Sequence, residues 1–394
     1  MRAVGARWVP RRHRLLWFAV AILAAYAAAK LGSEFYRLVW DTGRTGAMDL
    51  KLRHEEVHLW FAGGPVYSTL PLAVYPPASY VMLWPLVGWT AFGASRWLWA
   101  LASLAALVAL SPMFVRLSGA THTNERLLVA LLPLSLNAAG VGVGSGQFSV
   151  IVIPLAVGAV MLTARPSRGW IVDTCAAALV IASLVKPTMS VPFLWLMLFA
   201  NNGWRPLSIA GAGYVGLTLL GASFQADGLV TLLSGWLVNA VAASQFGYGD
   251  VQSWLGELGL TRWSLAASLT VLGGLGPWLF RHRCADLCVR LGVVALIARF
   301  WAYHRMQDDV LIALPMVALY RLARSPLASA NDDSRRAWAG ILLVVTIVVM
   351  MTPARFGLRV SPLMPLFNIT HTVVWLGLLA FLIRSIAMAS RQDR

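Results

Sequence analysis

Residues 144–168 read GSGQFSVIVIPLAVGAVMLTARPSR. From Val150 to Ala164 no side chain carries a charge. One end of the run is a turn rich in glycine with Gln147 beside it; the other is closed by Arg165 and Arg168. A helix needs ~20 mainly apolar residues to cross a hydrocarbon core. Lys and Arg gather on the cytoplasmic side of short loops. The stretch therefore reads as one transmembrane helix, with its cytoplasmic end marked by arginine and a polar turn at the other end.

The rest of the chain repeats this pattern. Of its 394 residues 59% are hydrophobic and 12% charged, against about 25% charged in an ordinary soluble domain. That is too little charge to coat a water-soluble enzyme of this size, and too much apolar surface for a disordered chain. The 32 Lys and Arg outnumber the 16 Asp and Glu, giving a net charge of +16. They are scattered between apolar runs and form no basic domain, which argues against nucleic-acid binding. With 18 Trp they suit a protein anchored at membrane interfaces. The three cysteines imply no disulfide framework, and Cys284 and Cys288 lack further ligands for a metal.

The expected architecture is an all-α polytopic membrane protein forming a single integral membrane domain, residues 1–394. Apolar segments fall near 15–31, 76–93, 97–115, 127–142, 148–164, 170–185, 188–200, 207–224, 263–280, 287–303, 309–322, 338–352 and 369–386. Arg2, Arg7, Arg11, Arg12 and Arg14 put the N-terminus in the cytoplasm, and the first segment reads as an uncleaved helix. Arg165, Arg205, Arg281, Arg321 and the tail Arg391 and Arg394 place every second later loop and the C-terminus there too. Two cytoplasmic termini need an even number of crossings, so one segment should not cross. Segment 76–93 opens on Pro76 and Pro77 and contains Pro85 and Gly88. It is expected to lie along or dip into the outer leaflet, leaving about 12 transmembrane helices. Two longer stretches, 32–75 and 225–262, become outer loops.

With this topology the polar residues gather on the outer face. Loop 32–75 carries five of the chain's 16 acids: Glu34, Asp41, Asp49, Glu55 and Glu56. A helix should begin near Asp49, which is either its cap or a catalytic carboxylate. Gln147 offers a donor and an acceptor in its glycine turn. Lys186, followed by Pro187, puts a cation at the outer end of a span, where it can snorkel or hold a phosphate. The run Arg299–Asp309 holds His304, Arg305, Asp308 and Asp309, a dense polar cluster between apolar spans and therefore a functional candidate. Lys51, Arg53, Lys186, Arg299 and Arg305 all lie on the side that the charge rule disfavours, which points to a phosphate-bearing substrate.

In order, the chain presents Asp49-Leu50, Gly63-Gly64-Pro65-Val66-Tyr67, Tyr75-Pro76-Pro77, Gly146-Gln147-Phe148-Ser149, Lys186-Pro187 and Tyr303-His304 with Asp308-Asp309 before the span containing Pro315. This series resembles glycosyltransferase family 87 from about residue 15 to 325. The resemblance implies a GT-C membrane fold and transfer of a hexose, mannose first, from a polyprenyl-phosphate sugar to a lipid or glycan hydroxyl at the outer face of a bacterial plasma membrane. Asp49 matches the family's first-loop aspartate and would take or orient the acceptor proton. Lys186, His304 and Arg305 would hold the donor phosphate; Asp41, Tyr75, Gln147, Asp308 and Asp309 would contact substrate. In the commoner form of the fourth motif a Trp and paired histidines stand where this chain has Asp308-Asp309. No cofactor and no metal is expected. Partners would be the donor, the acceptor and membrane lipids, not nucleic acid. The competing classes are a transporter or flippase of lipid-linked sugars, which should show inverted repeats, and a catalytically inactive assembly subunit of the same fold.

Overall fold

The computed structural model describes residues 8–325, 330–357 and 360–392. Arg2, Arg7 and Arg394, expected as cytoplasmic anchors, lie outside the described residues. The described chain is all-helical, with no strand. Its first part runs α1 (Trp8–Val39), α2 (Met48–Phe61), α3 (Val66–Thr69), α4 (Pro77–Val87), α5 (Phe92–Ser118) and α6 (Thr123–Leu131). The middle holds α7 (Asn137–Ser145), α8 (Ser149–Thr163), α9 (Trp170–Ser183), α10 (Pro187–Leu198), α11 (Trp204–Ala222) and α12 (Leu229–Ala243). The last third contains α13 (Val251–Glu257), α14 (Ser264–Arg281), α15 (Leu287–Phe300), α16 (Ala313–Arg324), α17 (Ala330–Met350) and α18 (Met364–Gln392).

Among the described residues five helical stretches are long and apolar enough to cross a membrane: Arg14–Val39, Phe92–Ser118, Leu229–Phe246, Thr261–Arg281 and Met364–Ala389. A sixth is the pair α7 and α8, if the two halves, bent by 114° at their break, count as one span. The chain is thus a polytopic membrane protein, and its helices are more broken than a count of about 12 full crossings implies. Two sequence expectations meet specific outcomes. Helix α4 has only 11 residues, too short to cross alone, and it continues through Pro85. Stretch 225–262 is not a loop. It contains α12, whose Val230, Leu237, Val238 and Val241 are exposed, and α13. Sequence inspection missed α12 because its hydrophobic run is interrupted by Ser234, Gly235 and Asn239.

Broken helices gather the polar residues. Helices α8 and α10 begin, and α15 ends, around the 3-10 turn Met306–Ile312 that leads into α16. Helix α10 packs on α8 and α15, and α7 packs on α1 and on the 3-10 turn. At the opposite ends of α8, α15 and α16, Arg116, Arg165, Asp286 and Arg321 line a shared indentation. The polar turn and the arginine cluster therefore occupy opposite ends of the same helices. Trp60, Trp99 and Trp375 are fully buried, so part of the tryptophan excess fills the core; Trp89, Trp97, Trp170 and Trp204 remain exposed.

Candidate active site

Helix α2 is set against the α7–α8 break by backbone geometry. Gly146 has φ +76°, a left-handed conformation that glycine adopts without cost. A Cβ there would lie 2.5 Å from the Leu50 Cβ and 3.3 Å from its backbone nitrogen. Ala47, just before α2, takes φ 49° and donates its N–H to the Gly144 carbonyl at 3.1 Å. The missing side chain at Gly146 is what lets the first turn of α2 approach. That turn carries Asp49. The N-cap residue is Ala47, with no side-chain cap bond, so Asp49 is not the cap. It is 4% exposed, and Gln307 Nε2 lies 3.5 Å from its Oδ2.

Lys186 stands immediately before α10, whose first helical position is Pro187. Pro fits there because the first-turn N–H has no helical partner. The Lys186 ammonium donates to Asp308 and, at 3.2 Å, to the Ser149 hydroxyl. Ser149 also donates to Asp308. The second Asp308 oxygen accepts from the Arg305 N–H at 3.2 Å and meets His304 Nδ1 at 3.0 Å. Nε2 of the same ring faces the Ala298 carbonyl at 2.7 Å. Both ring nitrogens thus face oxygen atoms, while burial pushes the imidazole pKa down against the pull of Asp308. Burial alone would raise the Asp308 carboxyl, but Lys186 and His304 outweigh it and hold it well below the usual range.

Asp309 faces the other way. It pairs with the fully buried Arg299 at 2.6 Å and accepts from the Tyr248 hydroxyl. The Arg299 guanidinium lies 4.7 Å from the Tyr248 ring centroid and 4.4 Å from that of Trp375. This group ties α15 to α18 and to the segment before α13.

Two cavities meet at Asp49. The smaller, about 210 Å³, has an apolar floor from α12 and α14, and Arg53, Lys186, Arg305 and Asp308 lie in its wall. Its lining residues Leu237, Val241, Leu265 and Leu269 are themselves exposed. The cavity thus borders the apolar flank between α12 and α14. The larger, about 1310 Å³, is lined by polar and charged groups including Lys30, Glu34, Asn137, Glu257, Gln307 and Asn368. Asp49, Phe246, Gln252 and Arg305 belong to both.

A family model for glycosyltransferase family 87 matches residues 73–329. The chain belongs to glycosyltransferase family 87. No curated protein and no solved structure matches it. The family match begins after Asp49, and α2 joins the matched part through α4, α5 and the Gly146 contact at α7.

Against the sequence expectations, this family member brings Asp49, Tyr75, Gln147, Lys186, Arg305 and Asp308 to the wall of one cavity. Three candidates are elsewhere. Asp41 caps its own turn, accepting from the Gly43 N–H at 2.8 Å and the Thr45 hydroxyl at 3.3 Å, and lines neither cavity. His304 is fully buried behind Asp308 with both nitrogens engaged, so it positions Asp308 and lines neither cavity. Asp309 is held by Arg299. Sequence reading passed over Gln252, quoted Ser149 only within its motif, and counted Arg53 among the outer cations without giving it a site role. Arg53 was findable, since it lies four residues after Asp49 and hence on the same helical face. Gln252 carries no local signal. Among the described residues no three His, Cys, Asp or Glu side chains converge to hold a metal ion.

Proposed function

We propose that this glycosyltransferase moves a hexose, mannose by family resemblance, from a polyprenyl-phosphate sugar to a lipid or glycan hydroxyl at the outer face of a bacterial plasma membrane. The observation that carries the reading is the position of Asp49, where an apolar, cation-headed cavity meets a wide polar one. The prenyl chain lies along the apolar floor and leaves toward the lipid between α12 and α14. The donor phosphate sits at Lys186 and Arg305. The acceptor arrives through the polar chamber with its hydroxyl on Asp49.

Asp49 accepts the hydroxyl proton as that oxygen bonds to the anomeric carbon. The bond from that carbon to the phosphate oxygen breaks, and polyprenyl phosphate departs with the electron pair. Its growing charge is met by Lys186 and Arg305. Asp308 and His304 hold the ammonium in place. The reaction so written needs no metal. The outer-face assignment draws support from the arginine cluster at the far ends of α8, α15 and α16, which suits a cytoplasmic surface. Both termini are then cytoplasmic.

The test is transfer from radiolabelled polyprenyl-phosphate mannose in proteoliposomes, with membrane lipid extract as acceptor. Asp49→Asn should abolish transfer while leaving thermal unfolding within about 1 kcal/mol, because Asn is nearly isosteric. Transfer by that variant near the wild-type rate refutes the role given to Asp49. Donor translocation without transfer would indicate a flippase.

A further inference from the structure

Arg53 is a cation that the mechanism above leaves unused. It lies four residues beyond Asp49 on α2, lines the cation-headed cavity and is 6% exposed. Its guanidinium stacks 4.4 Å above the ring of Tyr75, another residue of the same wall. One side of the group is engaged: Nη2 lies 2.7 Å from Glu56 Oε1 and donates to the Leu72 carbonyl at 3.2 Å. Nη1 is buried without any hydrogen-bond partner, and neither Glu56 oxygen receives a well-directed hydrogen bond. A buried guanidinium left partly unsatisfied costs free energy unless something else completes it.

Lys186 cannot meet a phosphate alone. Its ammonium has three protons, and it already donates to Asp308 and Ser149. A polyprenyl phosphate leaving group needs more, because a third oxygen acquires charge as the sugar bond breaks. A planar guanidinium with a free edge is suited to that task.

We propose that Arg53 is a third binding group for the donor phosphate beside Lys186 and Arg305, in the wall of the same cavity, with Glu56 and Tyr75 holding its plane. This rests on the reading of the cavity as a polyprenyl-phosphate site. The competing explanation is that Arg53 only braces α2 through Glu56.

The experiment measures binding of two probes to detergent-purified protein by tryptophan quenching: polyprenyl phosphate and the uncharged polyprenol of equal length. Inorganic phosphate is a third arm, which separates recognition of the lipid headgroup from recognition of a free anion. Arg53→Gln should weaken polyprenyl phosphate binding ten-fold or more, as expected for loss of a charge-assisted hydrogen bond. Polyprenol binding should stay within two-fold. Should the buried Glu56 destabilise that variant, the double variant Arg53→Gln/Glu56→Gln removes both charges and should show the same selective loss. Equal weakening of both probes assigns Arg53 a bracing role and overturns the proposal, as does undiminished phosphate binding. Failure of the underlying reading looks different: wild-type protein would then bind phosphate and alcohol equally, and Lys186→Met would change neither.

Discussion

Gly146→Ala tests how the site is assembled. The residue's φ of +76° costs an L-residue roughly 1–2 kcal/mol. The new methyl also meets Leu50 Cβ at 2.5 Å, its N at 3.3 Å and its Cα at 3.4 Å. These atoms belong to the α2 backbone or are fixed to it, so no rotamer change can move them aside. Either α2 or the α7–α8 break must shift, an overpacking cost of roughly 1–3 kcal/mol. The sum, about 2–5 kcal/mol, should lower the unfolding midpoint in detergent by roughly 2–6 °C. Because Asp49 precedes Leu50, the shift displaces the carboxylate as well. A misplacement of ~1 Å can cost about a hundred-fold in rate. Sugar transfer should fall by far more than stability does at a temperature where both proteins are folded. The control is Gly211→Ala in α11, where an added Cβ meets nothing within 4 Å. It should be neutral or slightly stabilising. Wild-type stability and wild-type transfer in Gly146→Ala would refute the view that this glycine seats α2.

Asp308→Asn removes the carboxylate shared by Lys186 and His304. It should cost about 3–5 kcal/mol, the usual penalty for stripping one partner from a buried charge group; unchanged thermal unfolding argues against Asp308 as the anchor. Burial pushes the Glu56 carboxyl on α2 up to about 7, from 4.5, with Arg53 pulling the other way. The folded state therefore holds the proton more tightly than the unfolded chain. That contribution, about 3 kcal/mol, is complete below pH 4.5 and is lost as pH rises through about 7. Denaturant titrations across this window should show a falling slope that Glu56→Gln removes; equal slopes in the two proteins contradict the assignment. Finally, Thr42→Cys, exposed in the turn between α1 and α2, should react with an impermeant maleimide added outside intact cells, whereas the exposed native Cys284 should not. The reverse pattern inverts the topology.

Much of this was legible in the sequence because membrane burial writes itself in composition. A charged side chain inside a span is costly, so the uncharged runs and the arginines that end them outline the helices. The same cost made the cations away from the arginine-marked helix ends conspicuous, and Lys186, Arg305 and Asp49 line one cavity. Helix α12 escaped because small and polar residues interrupt its run, and its place beside the cavity depends on contacts with the sequence-distant α3.

The pair Asp308-Asp309 shows where a one-dimensional reading reaches its limit. Adjacent in sequence and identical in type, the two look interchangeable as substrate ligands. They lie on a 3-10 turn, where successive side chains point about 120° apart. The turn is wedged between the starts of α8 and α10 on one side and the end of α15 on the other, so the two carboxylates cannot share an environment. Asp308 meets Lys186 and borders the cavity; Asp309 meets Arg299, in a layer closed by Tyr248 and Trp375. His304, four residues before Asp308, is drawn behind it by the Ala298 carbonyl, supports the carboxylate and lines neither cavity. Which of two equal residues does chemistry is decided here by turn geometry and by the cation each one meets. Both are set by helices far away in the chain.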